Sequence, residues 1–289
     1  MTHKSSSRWL IYFKERFQVI PNLIIAGGIT FSSATVAHDY ETKSVFLALL
    51  GVMLFLAQLR LMDELKDVEK DKIAHPDRPL PRGLFTTGEF SRFILICQSS
   101  MIGFAILLVA LGNLTAGIFF GVATLYLYLM FKEFFLGSWL GKRAILYAIT
   151  HQVIIYPIVF FAVSVFNPSL WSSTDSCWLG TLILGGFFGY EVGRKLDPNA
   201  HLILNTYLLK YGKSITALLV VLMFSLSALS GFMLHVEKIV FPLSTLGILS
   251  LSILWIAPKK FKISEGLISL YLIIAIWALP IMHLIGEKI

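Results

Sequence analysis

The chain is poor in charge and in cysteine, and each shortage excludes a class of protein. Only 14% of its 289 residues are charged, whereas 56% are hydrophobic, and the mean hydropathy is +0.78. A soluble domain of this length could not bury so much apolar surface. The two cysteines, Cys97 and Cys177, are far apart and lack a C-x-x-C spacing, so neither a disulfide framework nor a zinc site is indicated.

The sequence also lacks the alternating pattern of membrane β-strands, which leaves a helical bundle as the architecture of a membrane protein. It has no tandem repeat of fixed period. Nine apolar runs are present, each long enough to cross about 30 Å of hydrocarbon as a helix. We therefore predict an all-α, polytopic membrane bundle of about nine transmembrane helices, forming a single domain over residues 1–289. The runs cover residues 17–37, 44–62, 91–111, 114–131, 144–166, 177–193, 213–234, 239–257 and 265–285.

The basic residues are unevenly distributed between the two ends of these runs. With the N-terminus in the cytoplasm, 21 of the 24 lysines and arginines fall on the cytoplasmic side, as the positive-inside rule demands. We expect a multi-pass integral protein of the cell (inner) membrane, whose N-terminus and any active-site loops are cytoplasmic. The net charge of +7 then reflects topology and anionic lipid or diphosphate partners, and it gives no support to nucleic-acid binding.

The densest charge lies between Arg60 and Gly83, in the stretch RLMDELKDVEKDKIAHPDRPLPRG. Asp63, Asp67 and Asp71 are four residues apart, which places three carboxylates along one side of a helix. Such an array repels itself unless a cation lies beside it. Mg²⁺ is the natural candidate, since it binds a few carboxylates and bridges to phosphate oxygens. The alternative is a solvated helix whose acids pair with the interleaved lysines.

A second cluster of charge ends the sixth apolar run. Glu191, Arg194 and Lys195 lie within about one helical turn. In a functional interpretation, Arg194 and Lys195 bind phosphate oxygens while Glu191 supplies a carboxylate to a metal. The alternative is a surface ion pair between Glu191 and Lys195, beside the basic residues that the ends of membrane helices commonly carry.

A third set of polar residues surrounds the turn between the fourth and fifth runs. Lys132 and Arg143 flank this turn; anchoring at the membrane interface explains both, and a role facing a diphosphate stays open. His151 and Gln152 lie about two turns into the fifth run, where polar side chains usually face the bundle interior. We expect them to hydrogen-bond a neighbour, and contact with a substrate is the alternative.

At these residues the chain resembles the UbiA-type intramembrane prenyltransferases, over essentially its whole length. That family carries N-D-x-x-D-x-x-x-D and an R-P-L-P-x-G turn after its second span, and this sequence has DELKDVEKD followed by DRPLPRG. Asp67 and Asp71 match family aspartates directly. Glu64 stands where the first aspartate is usual, and Asp63 stands where the asparagine is usual.

Two arginines extend the resemblance, and the second family motif departs from it. Arg78 begins the matching turn, and Arg16 resembles the arginine that precedes the family's first span. The family's second motif, D-x-x-x-D, is replaced here by Glu191-x-x-x-Lys195. A lysine at that place would neutralise diphosphate charge in place of a second Mg²⁺ ion.

The resemblance implies a bundle around a central, lipid-accessible cavity with a polar cap on the cytoplasmic side. It further implies Mg²⁺-dependent transfer of an isoprenyl group from an isoprenyl diphosphate to a lipophilic acceptor, aromatic or other, among membrane lipids. One alternative is a terpene synthase or cyclase of the same fold. A transporter without chemistry fits less well, because the acidic array lies beside a loop and away from the bilayer midplane.

These inferences define three sets of candidate site residues. The predicted catalytic residues are Asp67, Asp71, Arg194 and Lys195. The predicted substrate-binding residues are Arg16, Arg78, Lys132, Arg143, Arg194 and Lys195. The predicted Mg²⁺ ligands are Asp63, Glu64, Asp67, Asp71 and Glu191.

Overall fold

The structure, a computed structural model, describes residues 5–198, 200–204 and 206–286, with side chains from Arg8 onward. The described chain is helical and contains no β-strand. In chain order the helices are α1 (Ser5–Glu15), α2 (Val19–Ala37), α3 (Thr42–Lys66), α4 (Val68–Ala74), α5 (Thr87–Ala110), α6 (Leu114–Phe131), α7 (Gly137–Leu140), α8 (Ala144–Gln152), α9 (Ile155–Phe166), α10 (Thr174–Arg194), α11 (Tyr207–Met233), α12 (Glu237–Ser250), α13 (Ile253–Ile256) and α14 (Phe261–Leu284). Single 3₁₀ turns cover Glu133–Phe135, Leu202–Leu204 and Pro258–Lys260.

Eight segments of the described chain are long and apolar enough to cross a membrane. Two of them combine consecutive helices, α8 with α9 and α12 with α13. The prediction of an all-α membrane bundle is therefore confirmed, whereas the count of nine spans is not. The sixth predicted run lies in α10. This helix is not among the eight candidate spans, because its five glycines and the polar residues at both of its ends lower its mean hydropathy.

Although less apolar, α10 lies among the other helices and packs against α9, α11 and α14. A Cβ added to Gly185 would lie 2.7 Å from the carbonyl oxygen of Met223, and one added to Gly189 would lie 2.4 Å from the Phe224 ring. Glycine at these positions permits a helix spacing that any side chain would prevent. The close packing fixes the C-terminal end of α10, which carries the second charged cluster.

Small hydroxyl groups join helices within the bundle. The Ser32 hydroxyl of α2 donates a hydrogen bond to the carbonyl oxygen of Ile276 in α14, at 2.7 Å. The Ser227 hydroxyl of α11 donates to the carbonyl oxygen of Leu182 in α10, at 2.9 Å. In a hydrocarbon environment, where apolar contact alone gives little driving force between helices, such bonds and close packing hold the helices together.

A small apolar cluster fixes the turn that follows the acidic motif. Trp9 of α1 lies 5.0 Å from Phe85 and 4.4 Å from Phe93, measured between ring centroids. The next helix, α5, begins with a capping box in which the Glu89 amide donates to the Thr86 hydroxyl, while the Glu89 carboxylate accepts from the Thr86 amide. The turn is therefore held between α1 and α5. The buried members of the cluster are Tyr12, Phe17, Val68, Leu80, Phe85 and Phe90.

Candidate active site

The first acidic motif spans the junction of α3 and α4. Asp67 lies between the two helices with φ −92° and ψ 2°, a sparsely populated backbone region. Helical hydrogen bonding nevertheless continues across it, since the Asp67 amide donates to the Asp63 carbonyl and the Asp71 amide donates to the Asp67 carbonyl. The three aspartates thus remain one helical turn apart, but their surroundings differ.

Asp71 is buried and is bound by the turn that follows it. The Nη1 atom of Arg78 lies 2.7 Å from Oδ1 and 2.6 Å from Oδ2 of Asp71. A guanidinium thus neutralises this carboxylate and fastens the R-P-L-P turn to α4. The metal-binding role of Asp71 stays a prediction, and the structure gives its carboxylate a different cation.

Glu64 is only 2% exposed and lies between two arginines. Its Oε1 accepts hydrogen bonds from Arg16 Nε at 2.5 Å and from Arg60 Nη2 at 2.6 Å. Burial, together with the positive charge of Arg60, lowers the pKa of Arg16 from its ordinary value. Like Asp71, Glu64 stays a predicted metal ligand whose carboxylate is already held by arginine.

Asp63 and Asp67 have no arginine bound directly to them among the described residues. The Asp67 side chain is 48% exposed, with one carboxylate oxygen 3.8 Å from the Lys70 ammonium. Asp63 and Asp67 repel each other electrostatically, and Asp63 also repels Glu191 of α10. The two acidic motifs, which are more than a hundred residues apart in sequence, are therefore close enough to interact electrostatically.

Glu191 forms ion pairs with both basic residues that follow it. Lys195 Nζ lies 2.5 Å from Glu191 Oε1, and Arg194 Nη2 lies 2.7 Å from Oε2. This is the surface pairing that the sequence left open, but it occurs next to the first motif, because Arg194 also interacts favourably with Asp63. Two cations for one carboxylate leave this end of α10 with a net positive charge.

Lys66 connects the first motif to the segment after α6 and to α8. Its ammonium lies 3.3 Å from Glu133 Oε1 and donates a hydrogen bond to the Tyr147 hydroxyl. The Tyr147 hydroxyl in turn lies 3.4 Å from the Glu133 carboxylate. Sequence reasoning missed both Glu133 and Tyr147. The available signal was the spacing of four between Tyr147 and His151, which places both rings on one face of α8.

Lys132 and Arg143 each contact an aromatic ring. The Lys132 ammonium lies 5.2 Å from the centroid of the Phe131 ring, and the Arg143 guanidinium lies 4.1 Å from that of Trp139. Cation–aromatic pairs of this kind suit the anchoring role considered from the sequence. The substrate-binding role of both residues stays a prediction.

Arg16 and Arg78 also line a polar cleft of about 370 Å³ between α1 and the R-P-L-P turn. Arg82 joins them there and binds Glu15 at 3.0 and 3.1 Å. Burial and the nearby Arg78 lower the pKa of His75 in the same cleft. Because both arginines bind carboxylates of the acidic motif, the cleft and the motif share one network of charges.

Between α3, α6 and α8 the structure has a cavity of about 20 Å³, which we call the boundary cavity. Asp63, Lys66 and His151 form its polar wall, and apolar side chains including Leu59 and Phe131 form the rest. The volume holds about one water molecule and is far too small for an isoprenoid chain. The lipid-accessible central cavity therefore stays a prediction, and a tail could enter here only if the helices moved apart.

Within residues 5–198, 200–204 and 206–286, no three acidic, histidine or cysteine side chains are gathered so that they could hold a metal ion. Arginine or lysine binds Glu64, Asp71 and Glu191 at 2.5–2.7 Å, whereas Asp67 has only the more distant Lys70 ammonium at 3.8 Å, so Asp63 and Asp67 remain as the mutually repelling pair. Mg²⁺ commonly binds one or two carboxylates together with substrate phosphates. Asp63 and Asp67 thus fit an ion that arrives with a diphosphate better than a preformed protein cage.

This arrangement agrees with the comparison with known families. The sequence profile of the UbiA prenyltransferase family matches residues 23–266, which is most of the chain. The chain therefore belongs to the UbiA prenyltransferase family.

Individual relatives agree with this assignment. A digeranylgeranylglyceryl phosphate synthase from Thermococcus sibiricus is 36% identical over 114 residues, which span 39% of this chain and 39% of that protein. A solved structure concerning digeranylgeranylglyceryl phosphate synthase has a TM-score of 0.59 at 17% identity, covering 94% of this chain and 99% of the other. A UbiA homologue from Aeropyrum pernix has a TM-score of 0.65 at 15% identity, covering 92% and 98%. At these identities the two structures show that the fold is shared.

Proposed function

We propose that this protein transfers an isoprenyl group from an isoprenyl diphosphate to a lipophilic acceptor within the membrane, in a Mg²⁺-dependent reaction. The observation that carries the proposal is that Asp63, beside Asp67, lies close enough to Glu191 and Arg194 of the second charged cluster to interact with both electrostatically, at one end of an apolar bundle. Membership of the UbiA prenyltransferase family supports this reaction class.

In this proposal Asp63 and Asp67 hold Mg²⁺, which supplies positive charge to the diphosphate as it leaves. Arg194 and Lys195 donate hydrogen bonds to diphosphate oxygens, since together they carry more charge than Glu191 neutralises. Arginine has five N–H donors and lysine three, so each of these cations can bind a phosphate oxygen while it keeps its contact with Glu191.

Glu64 and Asp71 have a different role in this proposal. Each binds an arginine directly, so they hold Arg16, Arg60 and Arg78 beside the motif. These arginines then contribute fixed positive charge near the departing diphosphate. Lys66, which Glu133 and Tyr147 hold in place, adds a further cation in the cavity that Asp63 also lines.

The acceptor that we propose first is a glyceryl phosphate lipid that already carries one geranylgeranyl chain, with geranylgeranyl diphosphate as donor. The support is the name of the Thermococcus sibiricus relative, digeranylgeranylglyceryl phosphate synthase. Such an acceptor presents a hydroxyl oxygen as its nucleophile.

The test uses purified protein in lipid nanodiscs with geranylgeranyl diphosphate and Mg²⁺, with and without that acceptor. We expect a doubly prenylated lipid, detected by mass spectrometry, that forms only with acceptor and disappears when the metal is chelated. An aromatic acceptor serves as the comparison substrate. Hydrocarbon or cyclic products from the donor alone would instead favour a cyclase. No release of diphosphate from any donor would contradict the proposal.

A further inference from the structure

His151 has a ring nitrogen with no partner. Its Nδ1 lies 2.8 Å from the backbone carbonyl oxygen of Tyr147. Because a carbonyl oxygen can only accept a hydrogen bond, Nδ1 donates this bond, and in the neutral imidazole Nε2 carries the free lone pair. Nε2 is buried and has no hydrogen-bond partner within the described part of the chain.

The orientation of the His151 ring is fixed on several sides. It stacks on the Tyr147 ring at 4.0 Å between centroids with 15° between the planes, and it meets Phe134 edge-on at 5.8 Å. The bond from Nδ1 to the Tyr147 carbonyl removes the remaining freedom to flip. A buried acceptor without a partner is costly, so this fixed lone pair calls for a group that it binds in another state.

His151 lines the boundary cavity, where the polar motif meets the apolar interior. The volume of about 20 Å³ admits one group the size of a hydroxyl or a water molecule. In an isoprenyl diphosphate, the reacting carbon lies between the diphosphate and the apolar tail. When the helices move apart to admit the donor, a diphosphate bound beside Asp63, with its tail toward the apolar wall, places its reacting carbon at this boundary.

The other polar groups of this cavity have different assignments. Lys66 is a cation that contacts Glu133 and Tyr147, so it has no lone pair to offer. Asp63 is assigned to Mg²⁺ in the proposed function. Of the three polar side chains in the wall, His151 is thus the one that offers a base.

We propose that His151 Nε2 accepts the proton that an acceptor hydroxyl loses when it is prenylated. The inference rests on the proposed function. The bond between the isoprenyl carbon and the diphosphate oxygen breaks, and its electron pair leaves with the diphosphate. The hydroxyl oxygen bonds to that carbon, and its proton passes to Nε2. The resulting imidazolium returns this proton to water when the products leave.

The test compares His151→Asn and His151→Gln with the parent protein in nanodiscs. Asparagine keeps a donor for the Tyr147 carbonyl and removes the base, whereas glutamine offers a hydrogen-bond acceptor that is not basic. Three quantities are measured: affinity for an unreactive thio-analogue of geranylgeranyl diphosphate, formation of the prenylated acceptor, and formation of free isoprenyl alcohol. The control is His283→Asn, a histidine in α14 that stacks on Tyr40.

We expect both His151 variants to bind the analogue like the parent, while transfer to the acceptor falls by about 10²-fold or more, as for loss of a general base. A larger share of the donor should then be converted to free isoprenyl alcohol instead of prenylated acceptor, because a water molecule that attacks the donor can pass its proton to bulk solvent. If His151 had only a structural role, its replacement would not change the ratio of isoprenyl alcohol to prenylated acceptor while the affinity for the analogue stayed the same.

Three results would overturn the inference. One is transfer by His151→Asn at the parent rate. Another is full transfer by His151→Gln, which would make Nε2 only a hydrogen-bond acceptor, and this variant decides if the asparagine variant fails to fold. The third is loss of analogue binding together with both products. Failure of the proposed function is a separate result, since the parent protein itself would then release no diphosphate.

Discussion

The buried carboxylate of Glu64 gives the sharpest test of how the site is built. Glu64→Gln keeps the size of the side chain and removes its charge, which leaves Arg16 and Arg60 without their shared partner. Breaking a buried ion pair from one side costs about 3–5 kcal/mol. Both arginines are partly exposed, so we expect a loss of about 3 kcal/mol, near the lower end of that range.

The assay is thermal unfolding in one detergent, with Glu69→Gln as the matched control. Glu69 lies in the next helix and pairs with Lys72, but its side chain is 78% exposed, so its ion pair is worth about 0–1 kcal/mol. A loss of 3 kcal/mol corresponds to a Tm lower by about 6–12 °C in a chain of this size. The control should unfold within about 2–4 °C of the parent protein.

The same variants separate a structural role from metal binding. If Glu64 instead bound Mg²⁺, Glu64→Gln would raise the Mg²⁺ concentration needed for activity and leave Tm close to that of the control. That combination would refute our interpretation of the buried arginine pair. Adding Arg16→Gln should recover part of the lost stability, because it removes a charge that no longer has a partner.

Three further predictions concern the metal pair, the second motif and the topology. Asp67→Asn should lower turnover by at least about a hundredfold without lowering Tm, and normal turnover would contradict a metal-binding role. Lys195→Ala should weaken diphosphate affinity by about 1.5–3 kcal/mol in a titration, whereas Lys195→Asp should be more active than the alanine variant at high Mg²⁺; parent-like binding by both would make Lys195 an interface anchor. With the native cysteines replaced by serine, a cysteine at Thr87 should react only with a membrane-permeant reagent in whole cells, and one at Ser172 should react with an impermeant reagent; the reverse pattern would invert the orientation.

The fold was largely predictable, because a helix that crosses a membrane requires a long apolar run in its own sequence. Each apolar run was long enough to cross the hydrocarbon, and the family motif indicated the shared architecture. The α10 helix shows the limit of that signal. Its glycines make it look less apolar, yet the same glycines allow close approach to α11, as at Gly185. Hydropathy measures transfer to lipid, whereas this helix is placed by packing against protein.

Candidate site residues could be chosen from the sequence, but the contacts that these residues make could not. The spacing of Asp63, Asp67 and Asp71 indicated an acidic surface, and it said nothing about which carboxylates would meet an arginine. The Arg16 contact with Glu64 joins residues 48 positions apart, so it depends on how α1 and α3 are placed. His151 was expected to bond a neighbour, and the structure shows that its Nδ1 does so within α8.

The first helix has a practical consequence for anyone who handles this protein. Arg8 binds Glu89, Glu15 binds Arg82, and Arg16, just after the helix, binds Glu64. Removing this segment would expose a buried carboxylate and release the turn that carries Arg78. Affinity tags and fusion partners therefore belong at the other terminus, and an N-terminally shortened preparation that is inactive would reveal nothing about the chemistry of the enzyme.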